Sequence, residues 1–254
     1  AVEDPTRGSA RAEAMELPGE GPGDVIGPYR LIDLVGEGGG GSVYRVEQQD
    51  PVQRTVALKI LKLGMDTRSV IRRFEIERQA LAVMDHPHIA KVLDAGASPD
   101  GRPYFVMDFV EGEPITGYCD AHSLSVKSRV ALLIKVCRAV EHAHQKGIIH
   151  RDLKPSNILI VEQDGEAAPK VIDFGVAKAI DPFEDDRSLT LNETVIGTPA
   201  YMSPEQAERD RVDIDTRSDV YSLGVLLYEL LTGYTPLDGG KVKEAGIDEL
   251  RQAL

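Results

Sequence analysis

The chain is poor in cysteine, contains no long apolar run and carries no cluster of basic residues, and each absence excludes a class of protein. Its two cysteines, Cys119 and Cys137, form no C-x-x-C pair and no metal-binding spacing, so neither a disulfide framework nor a metal site is predicted from them. Both lie near apolar helical positions, where we expect reduced thiols in or near the core. No apolar segment is long enough to span a bilayer, and the first residues do not resemble a signal peptide. We therefore expect a cytoplasmic chain without a membrane segment, any tether lying outside these residues.

Charge and length limit the partners and the size of the core. The chain has 42 Asp and Glu against 29 Lys and Arg, a net charge of −13. A nucleic-acid-binding surface needs clustered Lys and Arg, so no nucleic-acid partner is expected, and the oligomeric state is not predicted. With 254 residues, of which 42% are hydrophobic, the chain can bury a substantial core.

Residue patterns divide the chain into a leader and two lobes. Residues 1–28 are rich in Gly, Pro, Ala and Glu, which predicts a disordered leader or linker. Alternating or apolar runs then predict an antiparallel lobe of five strands, and helical spacing predicts one helix within it and a mainly helical part after it. The predicted strands are 29–35, 42–46, 55–60, 90–94 and 104–109, and the predicted helices are 68–84, 126–146 and 216–232. The class is α+β, with a small lobe at 29–107, a hinge at 108–112 and a partial large lobe at 113–254.

Apolar stripes predict which helix faces are buried. On the second helix the stripe contains Val130, Leu133, Ile134, Cys137, Val140 and His144. On the third it contains Val220, Leu223, Leu227 and Leu230. A glycine follows each of these helices and predicts its end.

The most informative motif is the octet from His150 to Asn157. It places a carboxylate at Asp152, an ammonium group at Lys154 and a carboxamide at Asn157 on one short loop. In-line phosphoryl transfer needs such groups: an acceptor for the hydroxyl proton, a cation for the transferring phosphate, and oxygen ligands for magnesium. Asp173 follows within Asp-Phe-Gly and supplies a second hard oxygen ligand. We therefore predict catalytic roles for Asp152 and Lys154 and a metal site at Asn157 and Asp173.

A glycine-rich run precedes the octet and predicts a phosphate-binding loop. Residues 36–43 fit G-x-G-x-x-G-x-V, with Gly36, Gly38, Gly41 and Val43 at the defining positions. Backbone amides approach phosphates closely there because no Cβ obstructs them. A strand pattern follows the glycines rather than a helix, which argues against a dinucleotide-binding loop; a flexible hairpin loop is the other interpretation.

Lys59 ends an otherwise apolar strand and is the candidate phosphate-binding lysine. The alternative is a strand lysine whose stem lies along the apolar surface. In the phosphotransferase pattern that these motifs resemble, such a lysine is held by a helix carboxylate, and both Glu75 and Glu77 are candidates. We predict Glu77, because it shares a helix face with Phe74 and Leu81, whereas Glu75 is turned about 100° away.

In this order and spacing the motifs resemble the catalytic domain of a bacterial eukaryotic-like (Hanks-type) serine/threonine protein kinase, over roughly residues 29–236. The resemblance implies ATP and Mg²⁺ as cofactors, with Mn²⁺ as an alternative metal, and protein substrates with Ser or Thr acceptors. It implies that adenine lies between the side chains of Val43 and Ala57 and that of Leu159. It further implies a gatekeeper at Met107 and backbone contacts from Asp108 and Val110. Two alternatives are a pseudokinase or scaffold that binds nucleotide without turnover, and a small-molecule phosphotransferase.

The same resemblance bears on regulation and on the end of the chain. Residues 197–207 are similar to the end of an activation segment, and autophosphorylation is expected at Thr190 first and Thr194 second, with the phosphate held by Arg151. Asp219 matches a buried carboxylate that holds the catalytic loop. The family's large lobe has further helices beyond the equivalent of Leu254, so we expect a C-terminally truncated catalytic domain.

Overall fold

The computed structural model describes residues 21–38, 41–61, 84–163, 165–174, 199–207 and 214–237. Within these ranges the chain forms a six-stranded antiparallel sheet, a three-stranded antiparallel sheet and a set of helices. The first sheet has the order β1-β2-β3-β4-β6-β5. Its strands are β1 (Val25–Ile26), β2 (Tyr29–Gly38), β3 (Gly41–Gln48), β4 (Arg54–Ile60), β5 (Val92–Ala97) and β6 (Pro103–Asp108).

The six-stranded sheet buries one set of alternating side chains in a core of its own. Val46, Leu58 and Val106 are fully buried there, because successive residues of a strand point to opposite faces. The other face of the same strands carries the candidate site. Cross-strand pairing places Val43 opposite Lys59 on β3 and β4.

All five predicted strands are present, and one strand was missed. In β1, Val25 pairs with Arg30 and Ile26 pairs with Tyr29, and the Ile26 side chain is only 3% exposed. Residues 21–28 are therefore part of the fold, and the predicted boundary of the leader at residue 28 is wrong for them. Their Gly and Pro residues form turns that return the chain to β2, with Gly27 at φ 57°. Residues 1–20 and the predicted helix at 68–84, apart from Met84, lie outside the described residues.

The second part of the chain contains four described helices and a small sheet. The helices are α1 (Ile115–Ala121), α2 (Val126–Gln145), α3 (Pro204–Ala207) and α4 (Thr216–Thr232). The strands are β7 (Glu113–Pro114), β8 (Ile158–Gln163) and β9 (Glu166–Val171), in the order β7-β8-β9. None of the helices in the described ranges is both long and apolar enough to cross a membrane.

Local sequence explains where the two long helices begin and end. The side chain of Ser125 accepts a hydrogen bond from the Ser128 amide and caps α2, and Asp215 caps α4 in the same way. Gly147 and Gly233 follow the helix ends at φ 76° and 81°, a left-handed conformation that glycine adopts easily. The bounds of α4 are those predicted, and α2 ends one residue earlier than predicted.

The buried faces of these helices differ from the predicted stripes. On α2, Ile134 and Cys137 are exposed, so Cys137 is not a core thiol, whereas Cys119 is buried. On α4, Val220 is exposed and the buried face includes Asp219. The stripes were right for Leu133, Val140 and Leu230, which are buried, and wrong for Ile134, Cys137 and Val220, because they weighted large apolar residues. The buried face of α2 uses small alanines, and that of α4 uses polar residues that bind neighbouring loops: Ala139, Ala143, Ser218, Asp219 and Ser222.

Arg129 joins three segments of the helical part. Its guanidinium donates to the carbonyl oxygens of Cys119, Leu124 and Leu230 at 3.1, 3.0 and 3.3 Å, and it forms an ion pair with Asp120 at 2.7 Å. Two of these carbonyls lie in the last turns of α1 and α4, where helix carbonyls lack partners within the helix. One side chain thus fixes α1, the α1–α2 turn and the end of α4 together.

Strand β9 is also bonded to residues 88–90, which come from the first part of the chain. The amide of Val171 donates to the His88 carbonyl at 2.8 Å, and the Ala90 amide donates to the Val171 carbonyl at 2.9 Å. The ring of His88 contacts the Pro169 carbonyl at 3.0 Å, and the His86 ring lies 5.3 Å from that of His142 on α2. These contacts fix the strand that leads directly into Asp173.

Three histidines with lowered pKa values make the folded state sensitive to acid. Burial lowers the pKa of His86, His88 and His150 below the ordinary 6.5, and for His86 the neighbouring imidazoles lower it further. Hydrogen bonds also favour the neutral form of two of these rings. Nδ1 of His86 accepts from the His88 amide, and Nδ1 of His150 accepts from the Asp152 amide. An imidazolium could not accept either bond.

We predict that the free energy of unfolding decreases as the pH falls below about 6.5. In that window the unfolded chain binds protons at these histidines more readily than the folded chain does. Thermal unfolding followed from pH 8 to pH 5.5 should show a falling midpoint. His88→Asn, which keeps a donor toward Pro169, should show a shallower decrease than the parent, and equal slopes for the two proteins would contradict the prediction.

Candidate functional site

The candidate site lies where β4 meets the loop that follows β9. The ammonium group of Lys59 forms an ion pair with the Asp173 carboxylate, and the two side chains are 11% and 28% exposed. Lys59 shares its sheet face with Val43 on β3 and Phe105 on β6. Two residues predicted from separate motifs are therefore in direct contact. Glu77, the predicted partner of Lys59, lies outside the described residues.

Asp219 holds the start of the catalytic loop. Its carboxylate is 1% exposed and accepts hydrogen bonds from the amides of His150 and Arg151, both at 2.8 Å, while His144 contacts it at 2.7 Å. Burial alone would raise the pKa of Asp219, but these contacts lower it below the ordinary 3.8. Asp219 thus remains a carboxylate, the state that can accept several hydrogen bonds at once.

The ring of His150 connects the catalytic loop to the Asp173 segment. Nδ1 accepts from the Asp152 amide at 3.3 Å, so Nε2 carries the proton and donates to the Ile172 carbonyl at 3.1 Å. The ring also contacts Phe174, with centroids 4.7 Å apart. Phe174 is 5% exposed and belongs to the large core cluster. This packing keeps Asp173, between Ile172 and Phe174, on the side of Lys59.

The predicted catalytic groups are gathered around Asp152. Lys154 donates to Oδ2 of Asp152 at 2.8 Å, and the carboxamide nitrogen of Asn157 donates to the Asp152 carbonyl at 2.8 Å and to Oδ2 at 3.2 Å. The carbonyl of Asn157 accepts from the Ile172 amide at 2.9 Å, next to Asp173. The loop precedes β8 and follows the apolar residues Ile148 and Ile149, which lie in an irregular segment.

The oxygen donors of this site fit a magnesium ion better than a transition metal. Since the nitrogen of the Asn157 carboxamide is used toward Asp152, its Oδ1 is the atom left to face a cation. Asp173 supplies a carboxylate. Mg²⁺ is held in proteins by one or two such oxygens together with phosphate and water oxygens. The described residues contain no group of three or more His, Cys, Asp or Glu side chains arranged to hold a metal.

The glycine-rich run forms the hairpin between β2 and β3. Gly36 pairs with Val43 and Gly38 pairs with Gly41, and residues 39–40 lie outside the described residues. A Cβ on Gly41 would lie 2.0 Å from the Ile60 carbonyl oxygen, and its φ is 129°. A Cβ on Gly36 or Gly38 would meet no atom of the described residues within 4 Å. Gly41 is therefore required by the packing of the sheet, whereas Gly36 and Gly38 leave open space beside the hairpin.

The predicted adenine-binding residues lie on the four strands β3, β4, β6 and β8 and, for Val110, on the segment after β6. Ala57 pairs with Met107, and Leu159 lies on β8 beside the catalytic loop. Both the backbone and the side chain of Asp108 are bonded to Lys91. The Asp108 amide donates to the Lys91 carbonyl at 3.0 Å, and the Asp108 carboxylate accepts from the Lys91 amide at 2.9 Å. Its backbone amide is thus occupied, and Val110 follows two residues later.

Two functional contacts were not foreseen from the sequence. His144 on α2 reaches Asp219, and Gln206 on α3 donates to the Arg151 carbonyl at 2.8 Å. His144 was predicted only as part of an apolar stripe. Gln206 lies within residues 197–207, which resemble the end of an activation segment, but that motif assigned it no role. Glu205, the neighbour of Gln206, accepts from the Ser218 hydroxyl at 2.5 Å.

Comparison with known families agrees with this geometry. Residues 29–254 match the family model described as protein kinase domain. The chain belongs to the protein kinase family. The sequence-based resemblance and the predicted two-lobed α+β fold are thereby confirmed.

Similar proteins place this kinase domain among bacterial serine/threonine-protein kinases. It is 40% identical over 214 residues to the serine/threonine-protein kinase pkn3 of Myxococcus xanthus, covering 83% of this chain and 38% of that protein. It is 38% identical over 237 residues to PknB of Mycobacterium tuberculosis, covering 91% of this chain and 36% of that protein. The chain thus spans about a third of the length of the curated relatives it matches.

A solved structure agrees with the fold. The crystal structure of the Mycobacterium tuberculosis PknI kinase domain matches with a TM-score of 0.66 and 27% identity, covering 93% of this chain and 87% of that one. Members of the family use ATP and a divalent metal, generally Mg²⁺.

The two glycines of the hairpin should respond differently to a methyl group. We predict that Gly41→Ala destabilises the kinase domain by about 1–3 kcal/mol, because its Cβ meets backbone in a left-handed conformation. Gly38→Ala should leave stability within about 1 kcal/mol of the parent, because its Cβ meets open space. Chemical denaturation of both variants measures the difference, and equal midpoints would show that the Gly41 contact carries no constraint.

Proposed function

We propose that this domain transfers the γ-phosphoryl group of ATP to Ser or Thr hydroxyls of proteins, with Asp152 as the residue that accepts the hydroxyl proton. The observation that carries the proposal is the convergence of Asp152, Lys154 and Asn157 on one loop, hydrogen-bonded to the residue before Asp173. The names of the bacterial relatives support the class of acceptor. The domain extends over residues 29–254, with residues 21–28 as an ordered N-terminal addition.

In this proposal each group around Asp152 has one task. Asp152 orients the acceptor hydroxyl and takes its proton as the oxygen attacks phosphorus. Lys154, 2.8 Å from the same carboxylate, is near enough to neutralise charge on the transferring phosphoryl group. Asn157 holds the loop through its nitrogen and offers its oxygen to the metal.

Lys59 and Asp173 would bind the phosphates and the metal on the other side of the site. Asp173 and Asn157 hold Mg²⁺, which neutralises phosphate charge when bound. Lys59 lies beside Asp173, so its ammonium group can reach phosphate oxygens at the same position. Glu77 is proposed to hold Lys59 from the helix at 68–84.

The nucleotide base would bind between the two lobes. Val43 and Ala57 cover it from the sheet, Leu159 lies below it, and Met107 closes the inner end. Since the Asp108 amide is occupied by Lys91, Asp108 can offer only its carbonyl, and the remaining backbone contacts come from Val110. Gly36, Gly38 and Gly41 place the hairpin backbone over the phosphates.

Replacing Asp152 tests the chemistry. Asp152→Asn should lower kcat by on the order of 10²–10⁴-fold, because an amide cannot take the proton, while nucleotide affinity stays near that of the parent. Asp173→Asn should weaken Mg-ATP binding as well as turnover. Transfer of labelled phosphate to a generic basic protein, with nucleotide binding measured separately, distinguishes these outcomes.

Asp85→Asn is the matched control, since Asp85 is 83% exposed and forms a surface ion pair with Lys91. It should keep parental turnover. An Asp152→Asn variant as active as the Asp85→Asn variant would remove Asp152 from its proposed role. A parent that binds nucleotide but transfers no phosphate would favour a scaffold.

Autophosphorylation is proposed at Thr190 first and Thr194 second, both outside the described residues. Arg151 precedes Asp152, and a phosphate paired with its guanidinium would order the segment after Asp173. Mass spectrometry after incubation with Mg-ATP should find phosphate on Thr190 or Thr194 in the parent and none in Asp152→Asn. Full activity without phosphate at either threonine would rule this regulation out.

A further inference from the structure

The backbone of Arg151 has an unusual conformation directly before Asp152. Its φ is 66°, in the left-handed region that non-glycine residues seldom occupy. Such a conformation costs roughly 1–3 kcal/mol and persists only when surrounding contacts determine it. The contacts that hold the backbone amide and the backbone carbonyl of Arg151 therefore determine where the Asp152 carboxylate points.

The two backbone groups of Arg151 are held from different segments. Its amide donates to the Asp219 carboxylate at 2.8 Å, and its carbonyl accepts from Nε2 of Gln206 at 2.8 Å. The orientation of the Gln206 amide is fixed at its other end, because Oε1 accepts from the Ser203 amide at 3.1 Å and from the Ser203 hydroxyl at 3.2 Å. A carboxamide can both donate and accept in this way, whereas an ionised carboxylate can only accept.

Gln206 stands on a segment that is itself firmly attached to α4. The Ser222 hydroxyl donates to the Tyr201 carbonyl at 2.8 Å, and the Ser218 hydroxyl donates to Glu205 at 2.5 Å. Ser203 is completely buried. Asp219 is itself a residue of α4, and Gln206 is attached to α4 through residues 199–207. The two side chains that hold the backbone of Arg151 are therefore both fixed to the same helix.

We infer that Gln206 is a positioning residue for phosphoryl transfer, which holds the Arg151 carbonyl and thereby couples residues 199–207 to the orientation of Asp152. This inference rests on the proposed role of Asp152. Gln206 follows the segment that contains Thr190 and Thr194, so the hydrogen bond gives a change in that segment a direct route to the catalytic loop.

Gln206→Glu removes the donor while keeping the size of the side chain. We expect kcat to fall by on the order of 10- to 100-fold, the effect of a small misplacement of a catalytic group, with nucleotide Kd within about twofold of the parent. Gln206→Ala should have a similar effect. Gln145→Glu is the matched control, because Gln145 is exposed at the end of α2, and it should keep parental kcat.

The pH dependence separates positioning from general loss of structure. Protonation of the carboxyl introduced by Gln206→Glu restores a donor toward the Arg151 carbonyl. The kcat of Gln206→Glu relative to the parent should therefore rise as the pH is lowered, whereas the deficit of Gln206→Ala should not change. A deficit of Gln206→Glu that is independent of pH, or no deficit, would overturn the inference.

Amide hydrogen exchange of the peptide around Arg151 and Asp152 gives a readout that does not require turnover. It should be faster in Gln206→Glu than in the parent and the Gln145→Glu control. Unchanged exchange would overturn the inference even if the parent is an active kinase. If the parent transfers no phosphate but exchange is still faster in Gln206→Glu than in the parent, the proposed function is rejected and the Gln206 contact stands.

Discussion

The structure of the site depends on one buried carboxylate, that of Asp219. A carboxylate removed from water is stable only if its lone pairs are used, and here two backbone amides and one imidazole use them. The amides belong to consecutive residues, so the carboxylate fixes the plane of the peptide that joins His150 and Arg151. The orientation of that peptide determines the position of the His150 ring and its contact with Phe174. It also determines the direction in which the loop presents Asp152.

The motifs could be read from the sequence because chemistry limits which residue types can serve. A proton acceptor, a cation and oxygen ligands for magnesium leave little choice at Asp152, Lys154, Asn157 and Asp173. The strands could be predicted because one face of the sheet is buried and the pattern alternates. The two-residue strand β1 was missed because it is too short to show a period and lies among Gly and Pro residues.

What the sequence did not show are contacts set by tertiary approach. The predicted stripe of α4 left out Ser218 and Ser222, which are buried polar residues, each held by a specific hydrogen-bond partner, whereas the burial of Asp219 was expected from the resemblance. A residue such as Gln206 gives no warning, since its partner is a backbone carbonyl 55 residues away. Lys59 lies beside Asp173 because the end of β9 approaches β4, a contact that the sequence did not predict, while its predicted helix partner Glu77 lies outside the described residues.

The pairing of β9 with residues 88–90 has a mechanical consequence. Val171 is bonded both to β8 and to the segment that leads into β5, so that segment is attached to the helical lobe although it comes from the sheet side of the chain. A rotation of the sheet that preserves these bonds pivots about residues 88–90 and leaves Asp173 in place with the catalytic loop. Such a rotation away from the catalytic loop separates Lys59 from Asp173. The distance between these two side chains therefore reports how closely the sheet lies against the helical part.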